Sequence, residues 1–218
     1  MILYPINLDV IGKPCVVVGG GKVALRKILG LLTAGARVKV IAPEICAGVE
    51  ELVQRGAISW TQAKFSEELL GDEVILIAAT DSLKVNRQAC EAAQARKILV
   101  NAVNVAGGNF YVPSTLRRDE FLLTVSTGTH SPAFARFIRQ MLEEEIDEQF
   151  GASLEMISAW RREIKRLLPN YAAREIFWQE VLNREAWELL RRGELDKLEE
   201  RIKHALKSFG VESHDGTD

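Results

Sequence analysis

The stretch Val16-Val17-Val18-Gly19-Gly20-Gly21-Lys22-Val23-Ala24 decides the fold of this chain. Its valines predict a buried strand, and the motif G-x-G-x-x-A follows at Gly19, Gly21 and Ala24, where a helical pattern begins. Gly19 permits a tight turn, Gly21 lets a pyrophosphate approach the backbone, and Ala24 lets the helix pack against the strand. Free N–H groups at the helix N-terminus favour phosphates. We predict a nucleotide site here; the alternative is a strand-to-helix turn without a ligand.

The residues around this turn exclude one nucleotide motif and leave the choice of dinucleotide open. A P-loop requires glycine where Val16 stands and Ser or Thr where Val23 stands, so phosphate transfer is excluded. A ribose-binding acid is expected about 20 residues after the glycines. The sequence there is Ile41-Ala42-Pro43-Glu44, with no acid at the strand end itself. Either Glu44 or the loop backbone binds the ribose, and NAD and NADP both remain candidates.

Strand and helix patterns alternate over the first hundred residues, which is typical of βαβ units and a parallel sheet. The predicted strands are Cys15–Val18, Val38–Ala42, Ile58–Thr61, Val74–Ala79 and Ile98–Ala102. Helices are predicted over Lys22–Ala34 and Ser82–Arg96, and Gly35 and Gly56 stand where helices end. The fold class is therefore α/β, with an N-terminal Rossmann-like parallel sheet.

The pattern changes after residue 105. A turn at Ala106-Gly107-Gly108-Asn109 precedes two predicted extended runs, Phe110–Pro113 and Phe121–Ser126. A helix is predicted from Ser131-Pro132, because serine caps helices and proline suits their first position. Residues 152 to 208 are predicted to be helical throughout, and Val211 to Asp218 to fray.

Composition and charge exclude several functions. The 218 residues are 47% apolar, enough for a sizeable core, and the net charge of −2 gives no electrostatic case for nucleic acid. No apolar run approaches the ~18–20 residues of a membrane helix, and the N-terminus lacks the features of a signal peptide. Cys15, Cys46 and Cys90 are too far apart in sequence for a zinc motif or a disulfide framework. We expect a cytoplasmic, reduced protein with no metal site, no membrane and no nucleic-acid partner.

Hydrogen-bond donors are concentrated between Asn101 and Arg139, where Asp119 and Glu120 are the only acids. The loop Ser126–Pro132 opens a helix and is a natural anion site. This concentration of donors predicts a polycarboxylate partner. The alternative is that the segment is only a capped helix whose arginines face solvent. For His130, the alternative to a catalytic role is that of an ordinary surface histidine. The candidate substrate-binding residues are Asn101, Ser114, Arg117, Ser126, Thr127, Ser131 and Arg136.

Four groups of motifs, in order over residues 2 to 150, together resemble one family. They are Val18–Ala24 with Lys27 and Ala34-Gly35-Ala36; Ile77–Asp81 with Asn86; Asn101-Ala102-Val103 with Phe110–Ser114; and Val125–Gly128 with Ser131–Arg136. The combination resembles the precorrin-2 dehydrogenase module of siroheme synthases. The resemblance implies NAD-dependent oxidation of precorrin-2 to sirohydrochlorin, and in some members insertion of Fe(II). It also implies a homodimer.

The resemblance assigns roles to residues and segments. The family's cofactor positions correspond to Gly19, Gly20, Gly21, Lys22, Val23, Pro43, Glu44 and Thr80. The implied segments are an NAD-binding domain (1–112), a dimerisation region (113–150) and a C-terminal helical domain (151–218). A surplus apolar stripe on the helix after Ser131 also favours a homodimer; it comprises Phe134, Phe137, Ile138, Met141 and Leu142.

One position departs from the family pattern. The family's general base is an aspartate after the N-x-V motif, and Asn104 stands there. An amide accepts no proton at neutral pH. Either no base is needed at this position, or His130 or Asp81 serves, or the chain is impaired. Iron insertion is affected more than dehydrogenation, because it must remove pyrrole protons. A non-catalytic tetrapyrrole- or nucleotide-binding module is the alternative function.

Overall fold

A computed structural model describes residues 2–148 and 150–211. The described chain forms two compact units, residues 2–112 and residues 113–211. Fraying was predicted for Val211 to Asp218, of which 212–218 lie outside the described residues. The N–H of Val211 donates to the carbonyl of Leu206 at 3.2 Å.

The first unit is built on a five-stranded parallel sheet with strand order β3-β2-β1-β4-β5. Its strands are β1 (Pro14–Val18), β2 (Arg37–Ile41), β3 (Ile58–Thr61), β4 (Ile75–Ala78) and β5 (Leu99–Ala102). Its helices are α1 (Lys22–Thr33), α2 (Ala47–Gln54) and α3 (Leu83–Ala95), and a short 3-10 turn spans Glu67–Leu69. All five predicted strands and the predicted parallel sheet are confirmed, with strand ends within one residue of the prediction.

Helices cover both faces of this sheet, which explains why its central strands, β1 and β4, are apolar on both sides. Cys15 and Val17 of β1 belong to the core that includes residues of α1 and α2. Val16 and Val18 belong to the opposite core, which includes residues of α3. A continuous apolar run is therefore the expected sequence of such a strand.

The predicted helix ends at Gly35 and Gly56 are confirmed. The N–H of Ala36 donates to the carbonyl of Leu31 at 3.0 Å, and the N–H of Ala57 donates to that of Leu52 at 3.0 Å. These bonds end α1 and α2 with a residue of positive φ, as in the Schellman motif. Helix α2 was signalled in the sequence only by its terminal glycine.

The strand order places the turn after β1 at the centre of the sheet's carboxyl edge. Val18, the last residue of β1, lies opposite Ile41 of β2 on one side and Ala78 of β4 on the other. After β1 the chain forms β2 and β3 on one side of β1, and then forms β4 and β5 on the other side. In open α/β sheets, ligands bind in the crevice at such a switch point.

The second unit begins with an antiparallel hairpin of β6 (Ser114–Arg118) and β7 (Phe121–Val125). Of the two predicted extended runs, Phe121–Ser126 corresponds to β7, whereas Phe110–Pro113 forms no strand. The backbone of Phe110 is bonded instead to β5 residues, where its carbonyl accepts from the Asn101 amide at 3.0 Å. Strand β6 gave little sequence signal because Leu116 is its one buried residue.

Five helices complete the second unit: α4 (Pro132–Glu145), α5 (Phe150–Leu167), α6 (Tyr171–Val181), α7 (Arg184–Arg191) and α8 (Leu195–Ser208). The predicted start of α4 is confirmed, because the Ser131 hydroxyl accepts from the N–H of Phe134 at 3.2 Å. The prediction of one uninterrupted helical tail is wrong. Pro169 stands in one break, and Asn170 and Asn183 cap the helices that follow. Among the described helices, none has the length and apolarity to span a membrane.

Candidate active site

Two glycines let the turn after β1 contact the neighbouring loops. Gly19 has a φ of +122°, and a Cβ added to it would lie 2.4 Å from the carbonyl oxygen of Ala79. A Cβ added to Gly20 would lie 2.2 Å from the carbonyl oxygen of Glu44. No side chain fits at either position. The turn is therefore held closely between the loop that follows β2 and the loop that follows β4.

Gly21 differs, because its surroundings are open. A Cβ added to Gly21 would meet nothing within 4 Å, and its φ of −84° is one that any residue adopts. Gly21 precedes α1, whose first N–H groups receive no side-chain cap and whose first turn carries no acid. Lys22 and Val23 are exposed beside it. An uncapped helix N-terminus facing open space fits the pyrophosphate of a dinucleotide.

The loop after β2 lies against this turn. The N–H of Cys46 donates to the carbonyl of Gly20 at 2.8 Å, and the indole N–H of Trp60 donates to that of Ala42 at 2.9 Å. Pro43 and Glu44 are exposed between these anchors. The structure therefore brings the predicted ribose-binding segment beside the glycine turn.

The loop after β4 is organised by Asn86, a residue of α3 that was not among the predicted site residues. Its Oδ1 accepts from the N–H of Thr80 at 3.0 Å and from the Thr80 hydroxyl at 2.7 Å. Its Nδ2 donates to the carbonyls of Thr80 at 2.9 Å and Val103 at 3.1 Å. A signal was present in the sequence, because Asn86, Ala89, Cys90 and Ala93 have the spacing of one buried helix face. A polar residue on that face needs partners.

Strand β5 carries the predicted residue Asn101, and the loop that follows β5 carries the predicted residue Asn104. Asn101 is buried, and its Nδ2 donates to the carbonyl of Phe110 at 3.0 Å. The N–H of Val100 donates to the Asn109 side chain at 2.8 Å. Asn104 is exposed and has a φ of +60°. Asn101 thus holds the loop, and Asn104 presents its amide to solvent.

The second unit holds the remaining predicted residues, several of them in the loop between β7 and α4. The Thr127 hydroxyl donates to the carbonyl of Ser131 at 3.0 Å, and the N–H of Gly128 donates to the Ser126 hydroxyl at 3.3 Å. Nδ1 of His130 lies 2.9 Å from the carbonyl of Thr127, and the ring is exposed. Ser114 lies opposite Val125 in the hairpin, next to this loop.

The arginines of the donor-rich segment divide into two groups. Arg118 and Arg139 both form ion pairs with Glu143, and Nε of Arg118 donates to the carbonyl of Ile146 at 3.0 Å. Arg117 on β6 and Arg136 on α4 are exposed. Only the exposed pair, which are also the two predicted as substrate-binding residues, have side chains accessible to an anionic ligand.

The two buried cysteines of the first unit, Cys15 and Cys90, are not reactive thiolates. Burial raises the pKa of Cys15 to about 11 and also raises the pKa of Cys90. Thiols become nucleophiles and metal ligands as thiolates. Within residues 2–148 and 150–211, no group of three or more His, Cys, Asp or Glu side chains is placed to hold a metal ion.

Two family models match the chain. A family described as "Putative NAD(P)-binding" matches residues 6–114, and one described as "Sirohaem synthase dimerisation region" matches residues 150–206. The second match thus falls on α5 to α8, the segment predicted above as the helical domain.

Curated proteins and a solved structure also resemble the chain. Siroheme synthase of Photorhabdus laumondii is 33% identical over 97% of this chain and 45% of its own length. That of Nitrosococcus oceani is 37% identical over 95% of this chain and 44% of its own length. The chain therefore spans about half the length of these relatives. The solved structure of SirC, a precorrin-2 dehydrogenase, is 27% identical with a TM-score of 0.70, over 91% of this chain and 100% of that chain.

Proposed function

The chain belongs to the family formed by the precorrin-2 dehydrogenase module of siroheme synthases, and we propose on that basis that it oxidises precorrin-2 to sirohydrochlorin. This oxidation removes a hydride, which a bound NAD would take up, and one proton from precorrin-2. The structural observation that supports the dinucleotide part of this proposal is the open space at Gly21 before the uncapped N-terminus of α1. Nicotinamide supplies the hydride acceptor when the dinucleotide is bound.

The charges after β2 favour NAD over NADP. Residues 42–54 contain Glu44, Glu50 and Glu51 and no lysine or arginine. A 2′-phosphate needs a cation such as arginine nearby, whereas a ribose hydroxyl is bound by an acid. Glu44 is exposed next to the glycine turn and is the acid that we assign to the ribose.

The substrate's carboxylates require hydrogen-bond donors and cations. Exposed Arg117 and Arg136 supply charge-assisted bonds, and the hydroxyls around the β7–α4 loop supply further donors. The residues that we assign to substrate binding are Asn101, Ser114, Arg117, Ser126, Thr127, Ser131 and Arg136. Asn101 contributes through the backbone that it holds, since its amide already donates to Phe110.

The proton released with the hydride needs an acceptor other than Asn104. In neutral His130, an N–H at Nδ1 donates to the carbonyl of Thr127, which leaves the lone pair on Nε2. His130 is exposed, so Nε2 is accessible to a proton. We therefore assign proton acceptance to His130 or to solvent, and we place Asn104 beside the reacting macrocycle as an uncharged donor.

We infer that the protein works as a homodimer. The apolar side chains of Phe134, Phe137 and Met141 on α4 are 56%, 52% and 46% exposed. An exposed apolar stripe of this size on one helix is a typical contact surface between subunits. We propose residues 113–150 as this contact, together with the helical segment that matches the dimerisation-region model.

Incubating the protein with precorrin-2 and either NAD or NADP tests the proposal. We expect NADH and the absorption spectrum of sirohydrochlorin to appear together, faster with NAD. No turnover with either dinucleotide would refute it. Tight binding of sirohydrochlorin without oxidation of precorrin-2 would instead support the non-catalytic binding module that Asn104 suggests. Parallel reactions with Fe(II) measure whether the ion is also a substrate.

A further inference from the structure

A fully buried amide joins two loops at the carboxyl edge of the first unit's sheet. The side chain of Asn86 is 0% exposed and forms four hydrogen bonds, three to Thr80 and one to Val103. A backbone N–H only donates and carbonyls only accept, so the partners permit a single orientation of this amide. The bond to Val103 joins residues 17 positions apart.

The loop that Asn86 reaches contains Asn104. The N–H of Val103 donates to the carbonyl of Ala78 at 2.9 Å, while its own carbonyl accepts from Asn86. Asn104 follows directly, with a φ of +60°. A non-glycine residue in this region persists when its surroundings hold it. The backbone on the N-terminal side of Asn104 is thus fixed to the Thr80 turn.

Packing alone does not explain an asparagine at this position. The neighbouring residues on the same face of α3 are Ala89, Cys90 and Ala93, all small and apolar. A buried amide is costly unless all of its donors and acceptors are satisfied, and an apolar residue would avoid that cost. The role of the amide is therefore to hold the two loops in a fixed arrangement, not to fill space in the core.

We propose that Asn86 is a positioning residue that fixes the Thr80 turn and the Asn104 loop relative to each other, so that nicotinamide and tetrapyrrole meet in a reactive arrangement. This inference rests on the proposed function and names the residue that aligns its two ligands. Hydride transfer requires the reacting carbons in close, oriented contact, and a misplacement of about 1 Å costs about 10²-fold in rate.

Two substitutions separate the two halves of the amide. Asn86→Asp keeps an oxygen for the N–H and hydroxyl of Thr80 but turns the other oxygen toward the carbonyls of Thr80 and Val103, which then have no donor. We expect kcat for precorrin-2 oxidation to fall about 10²-fold, while the Kd for NADH stays within about threefold. Asn86→Ala removes both halves, so the Kd for NADH also rises, by about tenfold.

A pH profile of Asn86→Asp adds a readout that a stability role would not move. A buried carboxyl has a raised pKa, and its protonated form regains one O–H donor for the carbonyls. We therefore expect kcat of this variant, relative to that of the unmodified chain, to rise as the pH falls. A constant ratio would count against the bond to Val103.

Glu73→Gln is the matched control. Glu73 lies before β4, at the opposite end from Thr80, and pairs with Lys39 at 2.5 Å. We expect a lower midpoint of thermal unfolding, with kcat and the Kd for NADH unchanged. All variants are assayed well below their unfolding midpoints. If the Asn86 variants also lose stability only, with kcat within about twofold of the unmodified chain, the proposal is overturned.

Failure of the proposed function is distinguishable from failure of this inference. If the unmodified chain binds NADH but does not oxidise precorrin-2, the dehydrogenase function fails. NADH affinity then decides the role of Asn86. A tenfold loss in Asn86→Ala, with no loss in Glu73→Gln, supports its hold on the Thr80 turn. Equal affinities overturn it, as does an unmodified chain that binds no NADH.

Discussion

Adding one methyl group to different glycines of the β1–α1 turn should separate stability from dinucleotide binding. At Gly21, the φ of −84° suits alanine and nothing lies within 4 Å of the new Cβ. At Gly19, the φ is +122° and the new Cβ would lie 2.4 Å from the carbonyl oxygen of Ala79. Gly21→Ala and Gly19→Ala thus make the same chemical change in opposite surroundings.

The expected stability changes differ several-fold. Gly21→Ala replaces a tolerated N-cap residue with a poor one, at a cost of about 0.5–1 kcal/mol. It also restricts the unfolded chain, which stabilises by about 0.4–1 kcal/mol, so the net change stays within about 1 kcal/mol. Gly19→Ala adds backbone strain of about 1–3 kcal/mol and overpacking of about 1–3 kcal/mol. Their sum is a large share of a typical unfolding free energy of about 5–15 kcal/mol.

Dinucleotide binding should be weakened by Gly21→Ala, the variant whose stability changes least. The methyl group of Gly21→Ala occupies the open space that we assign to the pyrophosphate. Losing one hydrogen bond to a charged group costs about 1.5–3 kcal/mol, which raises Kd by about 10- to 150-fold. Urea unfolding measures the stability and fluorescence titration measures NADH binding. NADH affinity unchanged in Gly21→Ala would refute the placement of the pyrophosphate. A loss of stability equal to that of Gly19→Ala would refute the geometry of the turn.

Three further predictions address acid stability, assembly and iron. Burial, the largest influence, raises the pKa of the Glu73 carboxyl, but hydrogen bonds from Lys39 and from backbone N–H groups outweigh it and hold the pKa below its ordinary value. The resulting stability is present above the unfolded-state pKa of about 4.3 and is lost as the pH falls through the lower folded pKa. The free energy of unfolding should therefore decrease in acid for the unmodified chain, and decrease less for Glu73→Gln. The same decrease in both proteins would contradict this prediction. Sedimentation at micromolar concentration should give twice the 24.3 kDa mass of one chain. The double variant Phe134→Asp, Phe137→Asp should shift the protein toward the monomer. If the unmodified chain sediments as a monomer, the dimer is excluded. Asn104→Asp should raise Fe(II) insertion into sirohydrochlorin by about 10²–10⁴-fold with little change in precorrin-2 oxidation; rapid insertion by the unmodified chain would place the base elsewhere, with His130→Ala the next variant to assay.

The sheet was predictable because its central strands, β1 and β4, are buried and each gives a clear apolar pattern within one short stretch of sequence. Val16 to Val18 are 0–1% exposed, and a short apolar run that ends at a glycine turn is typical of a buried strand. Strand β6 was missed for the converse reason. Its sequence Ser-Thr-Leu-Arg-Arg places one side chain in the core, and the pairing with β7 defines the strand through backbone bonds that carry no side-chain pattern.

The candidate site was predictable where one segment suffices and not where several meet. The motif at Gly19 to Gly21 contains its own turn, and its helix follows at once. Asn86 acts on Thr80, 6 residues away, and on Val103, 17 residues away, so its role depends on the order of strands in the sheet. Its spacing with Ala89, Cys90 and Ala93 indicated burial but not the partners.

The conformation of Asn104 explains how a side chain could change at this position without rebuilding the loop. Asparagine and aspartate are the non-glycine residues that most readily adopt a φ near +60°. The bond from Asn86 to Val103 holds the preceding backbone whichever of the two follows. Exchanging the carboxylate for an amide therefore keeps the loop and removes one proton acceptor. Hydride transfer depends on the loop's position, whereas metal insertion also requires protons to leave the ring nitrogens. We therefore expect the same backbone to serve dehydrogenation with either residue, and Asn104 to slow the step that needs a base.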